Sequence, residues 1–253
     1  MHTYIFIVGK GDAPGALAKA IHEAGYLVGI FQDSQVQLKD HTLYDKVVSV
    51  DFANFSNSAN SSSSSNLESL SELDVSGLSI CGLVCTYETY VPAKAKLGEL
   101  LNVPALSIQS AQLCTDKLLM RSAFAAYDTE LSPAFSEIDS VEAGTRFVEQ
   151  FGFPVIIKPA NLVKSLLVIR CDTQEQLRAS TDYALSHIEG LYEKYRVYGR
   201  KPKLIIEQFM EGDLYSVAAF VDKNGNSIIC PGIAALTNAS ESGFDDNFLY
   251  RRA

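Results

Sequence analysis

The sequence predicts an α/β protein with two domains, a parallel sheet flanked by helices over roughly residues 1–110 and an α+β domain over roughly residues 111–253. Strand-like and helical segments alternate in the first part of the chain, which is typical of a doubly wound parallel sheet. Near residue 111 two helical segments follow each other instead. Three strand-like runs come later with no helix between them, which favours an α+β arrangement there.

The first βαβ unit is "TYIFIVGKGDAPGALAKAIHEAGYLVGIFQD". Tyr4–Val8 is predicted to be a strand and Gly9–Gly15 a turn. Ala16–Ala24 is predicted to be a helix, because its apolar residues recur at helical spacing and Gly25 then ends it. Leu27–Phe31 is the second strand.

The rest of the first domain follows the same alternation. "DKVVSVDF" and "SICGLVCTYE" predict the third and fourth strands, and "VPAKAKLGELL" predicts a helix. The serine- and asparagine-rich tract over about residues 54–66 lacks the apolar side chains needed for packing. We therefore expect a flexible loop there.

The turn "GKGDAPG" is similar to a dinucleotide-binding fingerprint, with an acid, Asp33, at the end of the second strand. A proline stands where the third glycine of that fingerprint allows close helix packing. We therefore favour a structural turn over an NAD(P) site, and we expect no NADH binding.

The composition is that of an ordinary globular protein, with 47% hydrophobic and 20% charged residues. The formal net charge of −9 disfavours nucleic acid or an anionic membrane as a partner. No apolar run approaches the ~18 residues of a transmembrane helix, and no basic leader precedes the first strand. Five scattered cysteines predict free, buried thiols in a reducing compartment, and hence a cytoplasmic protein: Cys81, Cys85, Cys114, Cys171 and Cys230.

The second domain begins with the helical segments "SAQLCTDKLLMRSAFAAYD" and "EAGTRFVEQFG". A pair of strands follows, the first ending at Lys158 and the second occupying Leu166–Ile169. "DTQEQLRASTDYALSHI" is a helix with Asp172 or Thr173 as its N-cap. "KLIIEQFM", "LYSVAAFVDKNG" and "SIICPGIAAL" are strands, with "DKNG" as a turn.

The loop between the paired strands, Ala160–Ser165, determines how Lys158 is interpreted. A loop folded over a lysine at a strand end suits a phosphate chain, but such loops are usually rich in glycine. This loop has no glycine, so a nucleotide site and a hairpin with a lysine at its edge both remain open. Lys117, early in a helix, and Glu207, where a strand meets a short connector, add groups that suit ATP.

Taken in order, "DK…R", "FPVIIKP", the serine-bearing hairpin loop and "IIEQFMEGDLYSV" resemble the ATP-grasp superfamily of carboxylate–amine ligases. That superfamily includes D-alanine–D-alanine ligase, biotin carboxylase, carbamoyl-phosphate synthetase and the L-amino acid ligases. The resemblance implies a Rossmann-like pre-ATP-grasp domain, followed by an ATP-grasp domain that is incomplete at its C-terminal end.

The resemblance also implies roles for single residues. Lys117 and Lys158 match the two lysines that contact the ATP phosphates. Ser165 matches the small residue of the phosphate-covering loop, and Glu207 matches the acid that accepts from the adenine amino group.

The connector after Glu207 is implied to bind the adenine, and Met210 to form part of an apolar wall. Many relatives have a ribose-binding acid where this chain has Leu214, so Asp213 is expected to take the ribose instead. The implied connector consists of Gln208, Phe209 and Met210.

Mg²⁺ is held in this family by acidic and Asn side chains on later strands, and we expect its ligands beyond Ala253. The acidic "ESGFDDNFLYRRA" precedes the expected metal strands and is interpreted as a surface or substrate-facing segment. No metal ligand or catalytic residue is therefore assigned. The candidates set aside there are Glu241, Asp245, Asp246, Asn247, Arg251 and Arg252.

The implied function is that of an ADP-forming ligase that joins a carboxylate to an amine, with amino acids as the expected substrates, through an acyl phosphate. This chain is expected to be its ATP-binding part and inactive alone. The alternative is a shortened, non-catalytic relative that binds a nucleotide or a partner. A homo-oligomer is compatible with either.

Overall fold

Two units make up the fold in the computed structural model, which describes residues 3–11, 15–57, 73–222, 224–238 and 249–251. The first unit comprises Met1–Leu119 and Glu193–Lys201, and the second comprises Met120–Tyr192 and Pro202–Ala253. The sequence did not indicate that Glu193–Lys201 belongs to the first unit. The predicted boundary near residue 110 stays a prediction.

The first unit is built on a four-stranded parallel sheet in the order β3-β2-β1-β4. The predicted α/β class with a parallel first sheet is therefore confirmed. Its strands are β1 Thr3–Gly9, β2 Leu27–Asp33, β3 Lys46–Val50 and β4 Ser79–Cys85. Its helices are α1 Gly15–Glu23, α2 Phe52–Asn57, α3 Val91–Leu101 and α4 Ile108–Thr115, with 3-10 turns at His41–Leu43 and Glu88–Tyr90.

The core of the first unit lies on both faces of this sheet, because successive strand residues point to opposite sides. Phe6 and Phe31 belong to one cluster, and their ring centroids are 4.5 Å apart. Ile7 and Ile30 belong to another cluster, which also contains Ile21 of α1. The strands are thus covered by apolar side chains on each side, as a parallel sheet requires.

The second unit contains an antiparallel sheet in the order β5-β8-β6-β7. Its strands are β5 Phe135–Ile138, β6 Val155–Pro159, β7 Ile169–Cys171 and β8 Leu204–Gln208. The helices in this part of the chain are α5 Lys117–Tyr127, α6 Val141–Phe151 and α7 Gln174–Lys194, and Thr129–Leu131 is a 3-10 turn.

One strand in this unit was missed by the sequence analysis, and another was predicted to begin too early. β5 was not predicted, because "FSEI" is short and its polar residues interrupt the apolar pattern. The second strand of the hairpin begins at Ile169 rather than Leu166, because Ser165 and Leu167 take left-handed φ values of 52° and 53°. Thr173, and not Asp172, is the N-cap of α7, since its hydroxyl accepts a hydrogen bond from the Gln176 N–H.

A second antiparallel sheet, in the order β11-β10-β9, consists of β9 Leu214–Val221, β10 Ser227–Asn238 and β11 Leu249–Arg251. Many apolar side chains of β9 and β10 are exposed. Phe220 and Ile229, for example, are 69% and 67% exposed.

All five cysteines are free, as predicted, but the expectation that they are buried was mostly wrong. Cys171 alone among them is buried, whereas Cys81 and Cys114 are exposed. In the part of the chain that the structure describes, no helix has both the length and the apolarity that a membrane crossing requires.

Candidate functional site

One face of the β5-β8-β6-β7 sheet brings together Lys158 and Glu207, two of the predicted site residues. Phe135, Glu207, Ile156 and Arg170 are register neighbours on the four successive strands. Directly opposed residues point to the same side of a sheet, and so does Lys158, two residues after Ile156. We call the side that carries Ile156, Lys158, Arg170 and Glu207 the site face.

The two sides of β6 differ in burial. Val155, Ile157 and Pro159 are buried, whereas Ile156 and Lys158 between them are partly exposed. One side of β6 is therefore packed in the core, whereas the side that belongs to the site face is partly exposed to solvent.

The carboxylate of Glu207 lies between two cations on the site face. Its oxygen Oε1 accepts from the Lys158 ammonium group, and Oε2 lies 3.1 Å from Nε of Arg121 in α5. The Glu207 side chain is only 6% exposed, and those of Arg121 and Lys158 are 13% and 14% exposed. A carboxylate this deeply buried requires charged partners, because its desolvation is costly.

Arg121 was not predicted as a site residue. It is the arginine of the "DK…R" motif, four residues after Lys117, so the sequence contained a signal for it. Its pairing with Glu207 depends on a contact between residues 86 positions apart.

Gln208 and Phe209 anchor the connector that follows Glu207. The N–H groups of Gln208 and Phe209 donate to the carbonyl oxygens of Ala134 and Pro154, both at 3.0 Å. The side chain of Gln208 also accepts from the Ala134 N–H at 3.2 Å. Two of the connector N–H groups are thus engaged within the fold, and Gln208 holds the connector against the start of β5.

Phe209 and Met210 are the apolar part of the connector. The guanidinium carbon of Arg170 lies 4.4 Å from the centroid of the Phe209 ring, a favourable cation–π distance. Arg170 is itself oriented by two hydrogen bonds, of 2.9 and 2.7 Å, to Asp172. Met210 is 59% exposed, which is compatible with a wall of an open pocket.

The β6–β7 loop, residues 160–168, contains Ser165 and no glycine. Three of its residues nevertheless have left-handed φ values, which are 63° at Lys164, 52° at Ser165 and 53° at Leu167. Glycine adopts this conformation without steric cost, whereas other residues are disfavoured there. The loop therefore has the backbone conformation that glycines would favour, but builds it from other residues.

Lys117 and Asp213, which were also predicted for the site, belong to other parts of the fold. Lys117 is the first residue of α5 and belongs to the first unit, and Asp213 is an exposed residue directly before β9. Leu214, which stands in place of the usual acid, begins β9 and is 48% exposed. The roles expected of Lys117 and Asp213 stay predictions.

Asp33, the acid of the dinucleotide-like pattern, is fully buried in the first unit. Its carboxylate accepts from the Tyr90 hydroxyl at 2.6 Å and from the Gln35 N–H at 3.0 Å. Burial, and then the neighbouring Asp33, raise the pKa of Tyr90, and likewise raise the pKa of Tyr198 to about 12. Asp33 thus links β2 to the 3-10 turn that ends at Tyr90, while residues 12–14 of the glycine pattern lie outside the described residues.

A metal centre is not formed by the side chains that the structure describes, since no group of three or more His, Cys, Asp or Glu there could hold an ion. The acidic segment set aside above, with Glu241, Asp245, Asp246 and Asn247, lies outside the described residues. The expectation for Mg²⁺ therefore stays a prediction.

Comparison with known proteins shows what this part of the chain is similar to. Residues 151–251, which include β6, the β6–β7 loop, β8 and the connector, match the family model of the ATP-grasp domain. This part of the chain is similar to the ATP-grasp domain. The resemblance to ATP-grasp proteins of the carboxylate–amine ligase type is thereby confirmed.

Two proteins that are similar to this chain are ligases by name. The phosphoribosylamine–glycine ligase of Methanosphaera stadtmanae is 28% identical over 115 residues, which are 45% of this chain and 25% of that protein. The D-alanine–D-alanine ligase of Bacillus pumilus is 30% identical over 115 residues, which are 42% of this chain and 31% of that protein.

The fold of this chain is also seen in a solved structure. The L-amino acid ligase from Bacillus licheniformis superposes with a TM-score of 0.67 at 18% identity, covering 92% of this chain and 52% of that one. The chain therefore spans about half the length of the ligase that it resembles in structure, and the matched part spans a smaller share of the two relatives.

Proposed function

We propose that this chain binds ATP on the site face and forms the nucleotide-binding part of an ADP-forming carboxylate–amine ligase. The observation that carries the proposal is the contact between Lys158 and Glu207 at the start of the connector. One group suits a phosphate and the other suits the adenine amino group, and the two are held side by side on adjacent strands.

Each group has a distinct part in this function. The Lys158 ammonium offers charge-assisted hydrogen bonds to a phosphate oxygen. Glu207 accepts from the amino group of the base, and Phe209 with Met210 supplies apolar surface next to it. The β6–β7 loop, with Ser165, follows Lys158 directly and covers the phosphates.

The proposed reaction begins when a carboxylate oxygen of the substrate attacks the terminal phosphorus of ATP and ADP leaves. The amine nitrogen then attacks the carbonyl carbon of the acyl phosphate, phosphate leaves, and an amide bond forms with loss of a proton from the nitrogen. The protein contributes mainly positioning, charge stabilisation and exclusion of water.

The names of the relatives support amino acids as substrates. Glycine, D-alanine and L-amino acids appear in the names of the proteins that this chain resembles. Each name describes a ligase in which an amino acid is one of the joined molecules. We propose an amino acid as at least one substrate here.

Calorimetric titration with ATP tests nucleotide binding. Lys158→Ala is expected to weaken ATP binding by about tenfold or more, since it removes a charge-assisted contact. Arg178→Ala is the matched control, because Arg178 is an exposed cation on α7 of the same unit. Equal affinity in the wild type and Lys158→Ala would contradict the proposed site.

An assay of ADP release with ATP and pairs of amino acids tests whether this chain has ligase activity by itself. ATP binding without ADP release is the result expected both for the ATP-binding part of a ligase and for a nucleotide-binding module. Release that depends on an amino acid supports the ligase, and contradicts the expectation that this chain is inactive alone.

A further inference from the structure

Arg121 contacts the proposed nucleotide site, yet the function proposed above gives it no role. Its Nε atom lies 3.1 Å from Oε2 of Glu207, while Lys158 bonds to the other oxygen, Oε1. All three side chains are at least 86% buried, as their exposed fractions show. Arg121 therefore belongs to one charged group with the two residues that are proposed to bind ATP.

The balance of charge in this group explains why a second cation matters. A phosphate that approaches Lys158 also approaches the Glu207 carboxylate, which repels it. Charges interact several-fold more strongly near or below a protein surface than in bulk water. Lys158 and Glu207 alone form a neutral pair, whereas Arg121 brings the formal charge of the three groups to +1.

We propose that Arg121 is a positioning residue of the nucleotide site, which neutralises Glu207 so that Lys158 remains a net positive charge for a phosphate. This inference rests on the proposed function, because it assigns Lys158 to phosphate and Glu207 to adenine. An ionised carboxylate has about four lone-pair sites. Since each cation occupies a different oxygen, Glu207 retains acceptor capacity for the amino group of the base.

A series of charge variants tests the inference with sodium tripolyphosphate, a ligand that has phosphates but no base. Glu207→Gln gives the group a formal charge of +2, the wild type and the double variant Arg121→Met/Glu207→Gln give +1, and Arg121→Met gives 0. Calorimetry at fixed ionic strength is expected to rank the affinities in that order. Arg121→Met should bind about tenfold or more weakly than the wild type. The double variant should return to within about twofold of it.

Further measurements separate charge from structure. Arg121→Lys keeps the cation and is expected to retain tripolyphosphate binding, and the thermal unfolding of each variant reports its folding. In the double variant the side chain at position 207 carries no charge, so the loss of Arg121 does not leave a buried carboxylate with one cation fewer. A purely structural role for Arg121 predicts that removing the second charge does not restore affinity.

The outcomes distinguish this inference from the proposed function. If the double variant binds as weakly as Arg121→Met, or if Arg121→Met binds as tightly as the wild type, the role of Arg121 is wrong while the ATP site stands. If the wild type binds neither ATP nor tripolyphosphate, the proposed function fails and the role of Arg121 with it.

Discussion

The hydroxyl of Tyr192 donates a hydrogen bond to the side-chain oxygen of Asn161, and both side chains are buried. Tyr192 lies near the C-terminal end of α7, and Asn161 is the second residue of the β6–β7 loop. The N–H of Ala160 donates to the carbonyl oxygen of Lys203 at 2.9 Å. The start of the loop is therefore fixed by two segments that are distant in the sequence.

Tyr192→Phe is expected to lower the free energy of unfolding by about 1 kcal/mol, because it removes a buried hydrogen bond and leaves the ring in place. Tyr183→Phe is the control on the same helix, since Tyr183 is 52% exposed, and it should change stability by less than about 0.5 kcal/mol. Urea denaturation measures both. Equal effects would show that the bond to Asn161 contributes no net stability.

Lys164 allows a test of the left-handed backbone in the loop. Its φ of 63° suits Asn, which tolerates this conformation, and disfavours Val, whose branched Cβ does not. We expect Lys164→Asn to be more stable than Lys164→Val by about 1 kcal/mol in thermal unfolding. Both variants remove the same lysine contacts, so the comparison isolates the backbone. A Val variant as stable as the Asn variant would contradict the left-handed φ.

Gly98 of α3 allows a close approach to Ala105. A Cβ atom at Gly98 would lie 2.3 Å from the Cβ of Ala105, so Gly98→Ala should destabilise the protein by about 1–3 kcal/mol. A Cβ atom at Gly190 of α7 would have no other atom within 4 Å. Gly190→Ala should therefore stabilise the protein by about 0.5–1 kcal/mol, because alanine has the higher helix propensity.

The double variant Gly98→Ala/Ala105→Gly exchanges the two side chains. It is expected to recover part of the stability lost in Gly98→Ala, as measured by urea denaturation. No recovery would show that the cost arises from another contact of Gly98.

The stability of the first unit is expected to depend on pH through the carboxylate of Asp45. Burial alone would raise its pKa, but hydrogen bonds from His22 and from the Val28 N–H, each at 2.8 Å, outweigh burial and lower the pKa. Because the folded pKa lies below the unfolded value, the stabilisation is present above about pH 4 and is lost as the pH falls through the folded pKa.

Asp45→Asn should therefore be less stable than the wild type near pH 6 by under about 1 kcal/mol, since the carboxylate is partly exposed. The difference should disappear in acid, as followed by thermal unfolding between pH 6 and pH 3. A difference that stays constant with pH would indicate that the charge of Asp45 does not contribute.

The positions in the sequence of most strands and helices could be predicted, because their apolar periodicity is a local property of the chain. Lys158 and Glu207 could be singled out as candidates, because each stands at the end of an apolar run. Their contact was not predicted, because it depends on the register in which Ile156 pairs with Glu207. Strand register is set by packing over the whole sheet and by turn geometry.

The features that sequence analysis missed depend on contacts between distant residues. Arg121 pairs with a residue 86 positions away, and Tyr90 bonds to Asp33 across 57 positions. Neither arginine on a helix nor tyrosine near a strand end indicates such a partner by itself.

The first unit takes in Glu193–Lys201, a segment that follows most of the second unit in the sequence. Val197 is buried there, Tyr198 packs against the core cluster of the first unit, and Arg200 donates to the carbonyl oxygens of Thr115 and Glu88. During synthesis on the ribosome, the first unit therefore cannot complete its packing until residue 201 has emerged. A gene fragment that stops at residue 119 encodes its parallel sheet without the segment that closes it.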